Sequence, residues 1–266
     1  AIENLGMEGR MSICNMSIEG GARAGYVNPD ETTYEWLEQT DAFKDEPERF
    51  AELKEYWESI SSDADAEYDD VVTIDGSEIE PVVTWGTTPG QGIGISEPIP
   101  EPETLSEEKQ ETARGSMEHM RVEPGESMKG YPIDVAFLGS CTNARLPDLR
   151  AAAELVEGRE VDSDVRAMVV PGSQRVKAAA EKEGLDEIFK QAGFEWRGAG
   201  CSMCLGMNED QLEGDEACAS SSNRNFVGRQ GSKDGRTILM SPIMVVAAAV
   251  TGEVTDVRDL EEVVTV

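Results

Sequence analysis

In the second half of the chain, apolar residues come as short unbroken runs separated by stretches where they recur every three or four positions. The runs at 133–139 (Ile-Asp-Val-Ala-Phe-Leu-Gly) and 165–170 predict buried strands, and 194–197 predicts a shorter one. Between them, 146–157, with Pro147 near its start, and then 174–183 and 186–191 carry the helical period. Strand, helix, strand, helix, strand at this spacing predicts βαβ units and a parallel sheet. Ser241-Pro242 followed by apolar residues up to Gly252 predicts a helix with Ser before its first turn, Pro inside it and Gly as its stop.

The first hundred residues are less regular. Residues 11–24 predict a buried helix that would carry Asn15 and Glu19 on one face, at i, i+4 spacing. Residues 31–62 predict an amphipathic helical region, with Phe50, Leu53, Trp57 and Ile60 at helical spacing and Pro47 suited to a first turn. Residues 63–70 read as an acidic loop, 71–74 and 81–85 as strands, and 86–94 as a Gly-rich break. The stretch 96–104, with three prolines among acids, reads as a linker and gives expected domains of 1–104 and 105–266.

Charge adds a setting. The 266 residues hold 54 Asp+Glu against 23 Lys+Arg, a formal charge of −31 spread along the whole chain. Such a surface repels nucleic-acid phosphates, which argues against an RNA or DNA binder. Lysine is scarce, 8 residues against 15 arginines. Dense, distributed negative charge keeps a surface hydrated in concentrated salt, so an extremely halophilic source is expected, by preference an archaeon. The longest apolar run, 244–250, is far short of the roughly 20 residues of a membrane span. No basic-then-apolar leader opens the chain, and the expected location is the cytoplasm. Because Ala1 leads almost at once into a motif-like stretch, the chain is expected to be part of something longer.

The candidate chemistry lies in cysteine and arginine. Five cysteines without a leader argue against a disulfide framework. Ligands of open α/β sheets bind beyond the carboxyl ends of strands. Cys141, in Gly139-Ser-Cys-Thr-Asn-Ala-Arg, follows one expected strand; Cys201 and Cys204, in Gly198-Ala-Gly-Cys-Ser-Met-Cys-Leu-Gly, follow another. Four readings stay open on these residues alone: a structural zinc, which lacks a second Cys-x-x-Cys; a redox dithiol, which leaves Cys141 idle; unreactive core thiols; and an iron–sulfur cluster on three thiolates, with one iron left open to substrate oxygen. Cys14 and Cys218 read as structural. Arg224 and Arg229, in Ser220-Ser-Ser-Asn-Arg-Asn-Phe-Val-Gly-Arg-Gln-Gly, offer planar donors suited to carboxylates. His119, the one histidine, reads as a surface residue of a helix.

Ile13-Cys-Asn-Met-Ser-Ile-Glu, Gly139-Ser-Cys-Thr-Asn, Gly200-Cys-Ser-Met-Cys and Asn223-Arg-Asn-Phe-Val-Gly-Arg together resemble the aconitase superfamily. Glu8-Gly-Arg-Met, Val83-Thr-Trp-Gly-Thr-Thr-Pro-Gly-Gln, Gly193-Phe-Glu-Trp-Arg and Gly228-Arg-Gln-Gly are similar to its two-subunit isopropylmalate dehydratase branch, large-subunit type. The resemblance implies three-layer α/β/α domains with a parallel sheet and a [4Fe-4S] cluster with one labile iron at the carboxyl ends of the strands. It implies Cys141, Cys201 and Cys204 as cluster ligands, Asn15 and Glu19 as catalytic-site residues, and Asn223, Arg224 and Arg229 as substrate contacts. It further implies a hydro-lyase of leucine biosynthesis that interconverts 2-isopropylmalate and 3-isopropylmalate. Alternatives are a homoaconitase-like or citramalate hydro-lyase, or a non-catalytic iron–sulfur or metal-binding protein. A small subunit carrying a swivelling domain and the catalytic serine is the implied partner. The family's N-terminal His and Asp residues have no counterpart here, so a C-terminal portion of the large subunit is expected.

Overall fold

The computed structural model describes residues 2–262, and the chain divides into two compact units, Ala1–Ile79 and Glu80–Val266. The division falls before the strand at Val82 rather than within 96–104. Val83, Trp85, Ile95 and Ile99 are all buried in the core of the second unit, and the Ile99 amide donates to the Glu126 carbonyl at 2.8 Å. Burial of these side chains makes the proline-rich stretch part of the second unit. Residues 263–266 of the expected second domain lie outside the described residues.

The first unit is helical: α1 (Met7–Met16), α2 (Glu31–Glu38) and α3 (Pro47–Ser59), after a 3-10 turn at Ile2–Asn4. Pro47 occupies the first turn of α3 as expected. Phe43, Phe50 and Trp57 pack edge to face, with centroids 5.5–6.1 Å apart, and Tyr34 stacks on Trp57. The helix expected over 11–24 is corrected. It starts at Met7 and ends at Met16, where the Ser17 hydroxyl turns back onto the Cys14 carbonyl (2.8 Å) and Gly21 takes φ +88°. Its buried anchor is Arg10, 2% exposed, whose guanidinium donates to both Asp30 oxygens (2.6 and 2.8 Å) and to the Glu3 and Leu5 carbonyls. Asp30 also caps α2 through the Thr33 amide, and the Arg10 hydrogen bonds hold its carboxyl below the usual range. A strand over 71–74 does not form.

In the second unit, β1 (Val82–Thr84) and β2 (Gly92–Gly94) form an antiparallel pair, and α4 (Glu107–Met120) comes next. Then come β3 (Val135–Leu138), α5 (Leu146–Val156), β4 (Arg166–Val169), α6 (Gln174–Glu183), α7 (Leu185–Ala192), β5 (Glu195–Trp196), β6 (Ala217–Ser220), β7 (Arg236–Leu239), α8 (Pro242–Thr251) and α9 (Val257–Glu262). The sheet is wholly parallel, in the order β5-β4-β3-β6-β7. The α/β class and the parallel sheet are as the sequence predicts.

Alternation along β3 separates two cores. Ala136 and Leu138 face the helical side, with Leu149, Phe189 and the apolar face of α8. Val135 and Phe137 face the other side, where Met168, Val170, Cys218, Met203 and Leu212 complete a smaller core. That second face is covered here by the irregular segment around Met203 and Leu212 rather than by helices. The same segment carries Cys201 and Cys204.

Candidate functional site

Because β3, β5 and β6 run parallel, the loops beyond their carboxyl ends leave from one edge of the sheet. These loops hold Cys141, then Cys201 with Cys204, then Asn223 through Arg229.

The Cys141 loop is laced to its neighbour. The buried Ser221 hydroxyl accepts from the Gly139 amide (3.0 Å) and donates to the Gly139 carbonyl (2.7 Å). Asn143 Nδ2 donates to the Ser221 carbonyl (2.6 Å) and to Asn223 Oδ1 (3.0 Å), and Asn223 Nδ2 donates to Thr142 Oγ1 (3.2 Å). On its other side the loop lies on Gly172, where a Cβ would meet the Ala144 and Ser140 carbonyl oxygens at 3.0 and 3.1 Å. The thiol itself stays exposed, 3.8 Å from the Thr142 hydroxyl.

Cys201 precedes and Cys204 ends a 3-10 turn (Ser202–Cys204), with the Cys204 amide donating to the Cys201 carbonyl at 3.0 Å. Between them Met203 is fully buried and reaches the second core, its sulfur 4.0 Å from Cys218 Sγ. This plug leaves Cys201 exposed and Cys204 half-buried. Ser202, held at φ +46°, donates to Asp210 Oδ2 at 2.6 Å, and Asn208 donates to the same oxygen at 3.0 Å. Burial raises the Asp210 carboxyl, but these two hydrogen bonds and the charges of Arg197 (3.1 Å) and Arg166 outweigh it and hold the group ionised below the usual range. An open cavity of about 610 Å³ lies over this turn, lined by 197–202 and 207–210. The loop returns through Gly206 (φ +57°), where a Cβ would strike the Gly231 nitrogen at 2.7 Å, so this turn sits directly on the end of the arginine loop.

In that loop, buried Asn225 donates to the Gly86 carbonyl (2.6 Å), the Thr84 hydroxyl and the Thr237 carbonyl (3.2 Å each). It pins the arginine segment to β1, β7 and the Trp85-Gly86 turn. Arg224 and Arg229 are half-buried. Arg229 lies 5.2 Å from the Phe226 ring centre, and its Nε–H is buried with no hydrogen-bond acceptor. A buried donor without a partner favours an incoming oxygen ligand.

Cys218, in β6, is wholly buried and burial pushes its thiol upward, as suits a core residue. Cys14, also expected to be structural, is half-buried in α1. His119 lies in the last turn of α4, half-buried, with Nε2 3.1 Å from the Gly235 carbonyl oxygen. Asn15 is exposed in the last turn of α1, and Glu19 sits in the turn beyond it, so the two do not share a helical face. Among the described residues no three His, Cys, Asp or Glu side chains gather tightly enough to hold a single metal ion. The donor set nevertheless suits an iron–sulfur cluster: three free thiols, exposed or half-exposed, on glycine-bearing loops at one sheet edge. Met203, Asp210, Ser221 and Asn225 are not singled out by sequence pattern. Met203, Ser221 and Asn225 lie inside the quoted motifs and Asp210 lies outside them, and only the fold shows what each side chain holds.

The aconitase family (aconitate hydratase) matches residues 1–252. A 3-isopropylmalate dehydratase large subunit of Natronomonas pharaonis is 83% identical over 260 residues, covering 98% of this chain and 55% of that protein. The protein of the same name in Haloferax volcanii is 82% identical over 266 residues, covering 100% and 56%. That of Salinibacter ruber is 65% identical, covering 98% and 55%. The chain thus spans about half the length of the curated relatives it matches, and the halophilic sources accord with its charge. Since the match takes in the three thiols and both arginines of the sheet edge, the chain belongs to the aconitase family.

Proposed function

We propose that this chain is part of the large subunit of a hydro-lyase that interconverts 2-isopropylmalate and 3-isopropylmalate in leucine biosynthesis. The observation that carries the reading is the shared sheet edge: three available thiols and two arginines on loops beyond the carboxyl ends of one parallel sheet, in a chain 80–83% identical to four haloarchaeal proteins named as that large subunit. Cys141, Cys201 and Cys204 would hold a [4Fe-4S] cluster. When bound, that cluster supplies a Lewis-acidic iron for the substrate hydroxyl.

The remaining chemistry falls to side chains. Arg224 and Arg229 bind substrate carboxylates, Arg229 through a guanidinium with an unused donor. Asn223, already bonded to Thr142 and Asn143, ties carboxylate binding to the Cys141 loop. For Asn15 and Glu19, a catalytic role rests on the family resemblance alone. Proton transfer belongs to a serine on a small subunit, the partner that the name "large subunit" implies. Molar salt shortens the screening length to about 3 Å, so a dianionic substrate reaches the arginines despite the charge of −31. Free thiols fit a reducing cytoplasm.

The test is turnover. A polypeptide of the relatives' length, assembled anaerobically with its small subunit and with iron and sulfide in molar KCl, is expected to form the unsaturated intermediate from 2-isopropylmalate, read by ultraviolet absorbance. Preference for homocitrate or citramalate under the same conditions would assign the chain to another branch. A loaded assembly inactive on all three would overturn the reading.

A further inference from the structure

The run Val71-Val72-Thr73-Ile74 has the β-branched composition of a strand, yet no β-ladder among the described residues includes it. Its side chains are among the most exposed apolar groups of the protein: Val71 at 71%, Val72 at 76% and Ile74 at 69%, with Ile79 at 62% close behind. Adjacent strand residues point to opposite faces, so exposure of both Val71 and Val72 leaves both faces of the segment open. β3 has the same kind of run and is buried at all four positions. Unbroken apolar runs are the signature of strands covered on both faces, and an extended apolar segment with open edges is a liability in any protein that must stay dispersed.

Two observations bear on what covers it. The relatives are nearly twice as long as this chain, which matches only 55–56% of their length. The run is also bracketed by Asp69, Asp70 and Asp75. Pairing with a second copy in register would set like charges opposite each other, which disfavours self-association.

We infer that residues 71–74 form an interior strand of a sheet whose neighbouring strands come from the part of the large-subunit polypeptide that this chain does not span. The inference rests on the reading of this chain as part of that longer subunit. It makes the first unit a docking surface for the rest of its own polypeptide.

The test is hydrogen exchange by mass spectrometry on a polypeptide of the relatives' length, alone in molar KCl. The amides of 72–74 should exchange at least about 100-fold more slowly than an unstructured reference, as ladder amides do. V72D and I74D should each abolish that protection while the amides of β3 stay protected. Exchange at 72–74 within about tenfold of the unstructured rate would overturn the inference. So would protection that rises with protein concentration, which marks a second copy, or that appears only when the small subunit is added. Protection is read without turnover, so a protected but inactive polypeptide would remove the proposed function and leave this inference standing.

Discussion

Replacing Met203 with Ala tests how the fold presents Cys201 and Cys204. Met203 is 0% exposed and packs in the smaller core with Phe137, Met168, Val170 and Cys218, while the residues on either side of it belong to an open turn. Met→Ala in a sealed core costs about 2–5 kcal/mol. The loop can settle partway into the void, which places this case in the lower half, about 2–3 kcal/mol. For a chain of this size that is a fall in Tm of roughly 4–5 °C. Met203→Leu keeps the volume and should cost less than about 1.5 kcal/mol. The assay is thermal and denaturant unfolding of both variants in molar KCl, with iron bound per chain after anaerobic reconstitution measured on the same samples. Met203→Ala should lose iron along with stability, and Met203→Leu should keep both. If Met203→Ala unfolds within about 0.5 kcal/mol of the parent, the plug contributes nothing and the argument fails.

Asn225→Asp should destabilise by at least about 2 kcal/mol, because a carboxylate would replace an amide donor facing two carbonyl oxygens; a Tm within about 1–2 °C of the parent would contradict that geometry. Thiol labelling under native conditions should modify Cys141 and Cys201 first, Cys14 and Cys204 more slowly, and Cys218 only on unfolding, read by peptide mass mapping. Asp256, largely buried, is held below its ordinary value of 3.8 by hydrogen bonds from Arg258, which outweigh desolvation. Its folded pKa is depressed, so its contribution is complete above about pH 4 and is lost as pH falls through the lowered value. Asp256→Asn should therefore flatten the acid limb of the stability profile below about pH 4, and an unchanged limb would contradict the assignment.

Legibility in the sequence tracks how local the cause is. Periodicity declares α6 and the strands β3 and β4, and Ser241, Pro242 and Gly252 declare α8, because these signals act within a turn of where they stand. β6 and β7 are not legible: Ala-Cys-Ala-Ser and Arg-Thr-Ile-Leu are too short and mixed to declare a strand, and only pairing within the sheet makes them one. The helix expected over 11–24 moves because Ser17 ends it through a side-chain bond that the apolar pattern does not encode. At the site, cysteines and arginines are visible by residue type and by position after strands. Their supports are not, since Ser221 and Asn225 act on residues roughly 80 and 140 positions away, a closeness that sheet order creates. The run at 71–74 reads as a strand and finds no partner among the described residues, which is the same dependence on distant sequence.

The most direct test of the central claim is iron and sulfide counting with electron paramagnetic resonance, after anaerobic reconstitution and mild oxidation, on the parent chain and on the Cys141→Ser, Cys201→Ser, Cys204→Ser and Cys218→Ser variants. The account predicts a three-iron signal in the parent and in Cys218→Ser that disappears on adding ferrous iron, and no cluster in the other three. A cluster that survives loss of Cys141, Cys201 or Cys204, or one that requires Cys218, would contradict it.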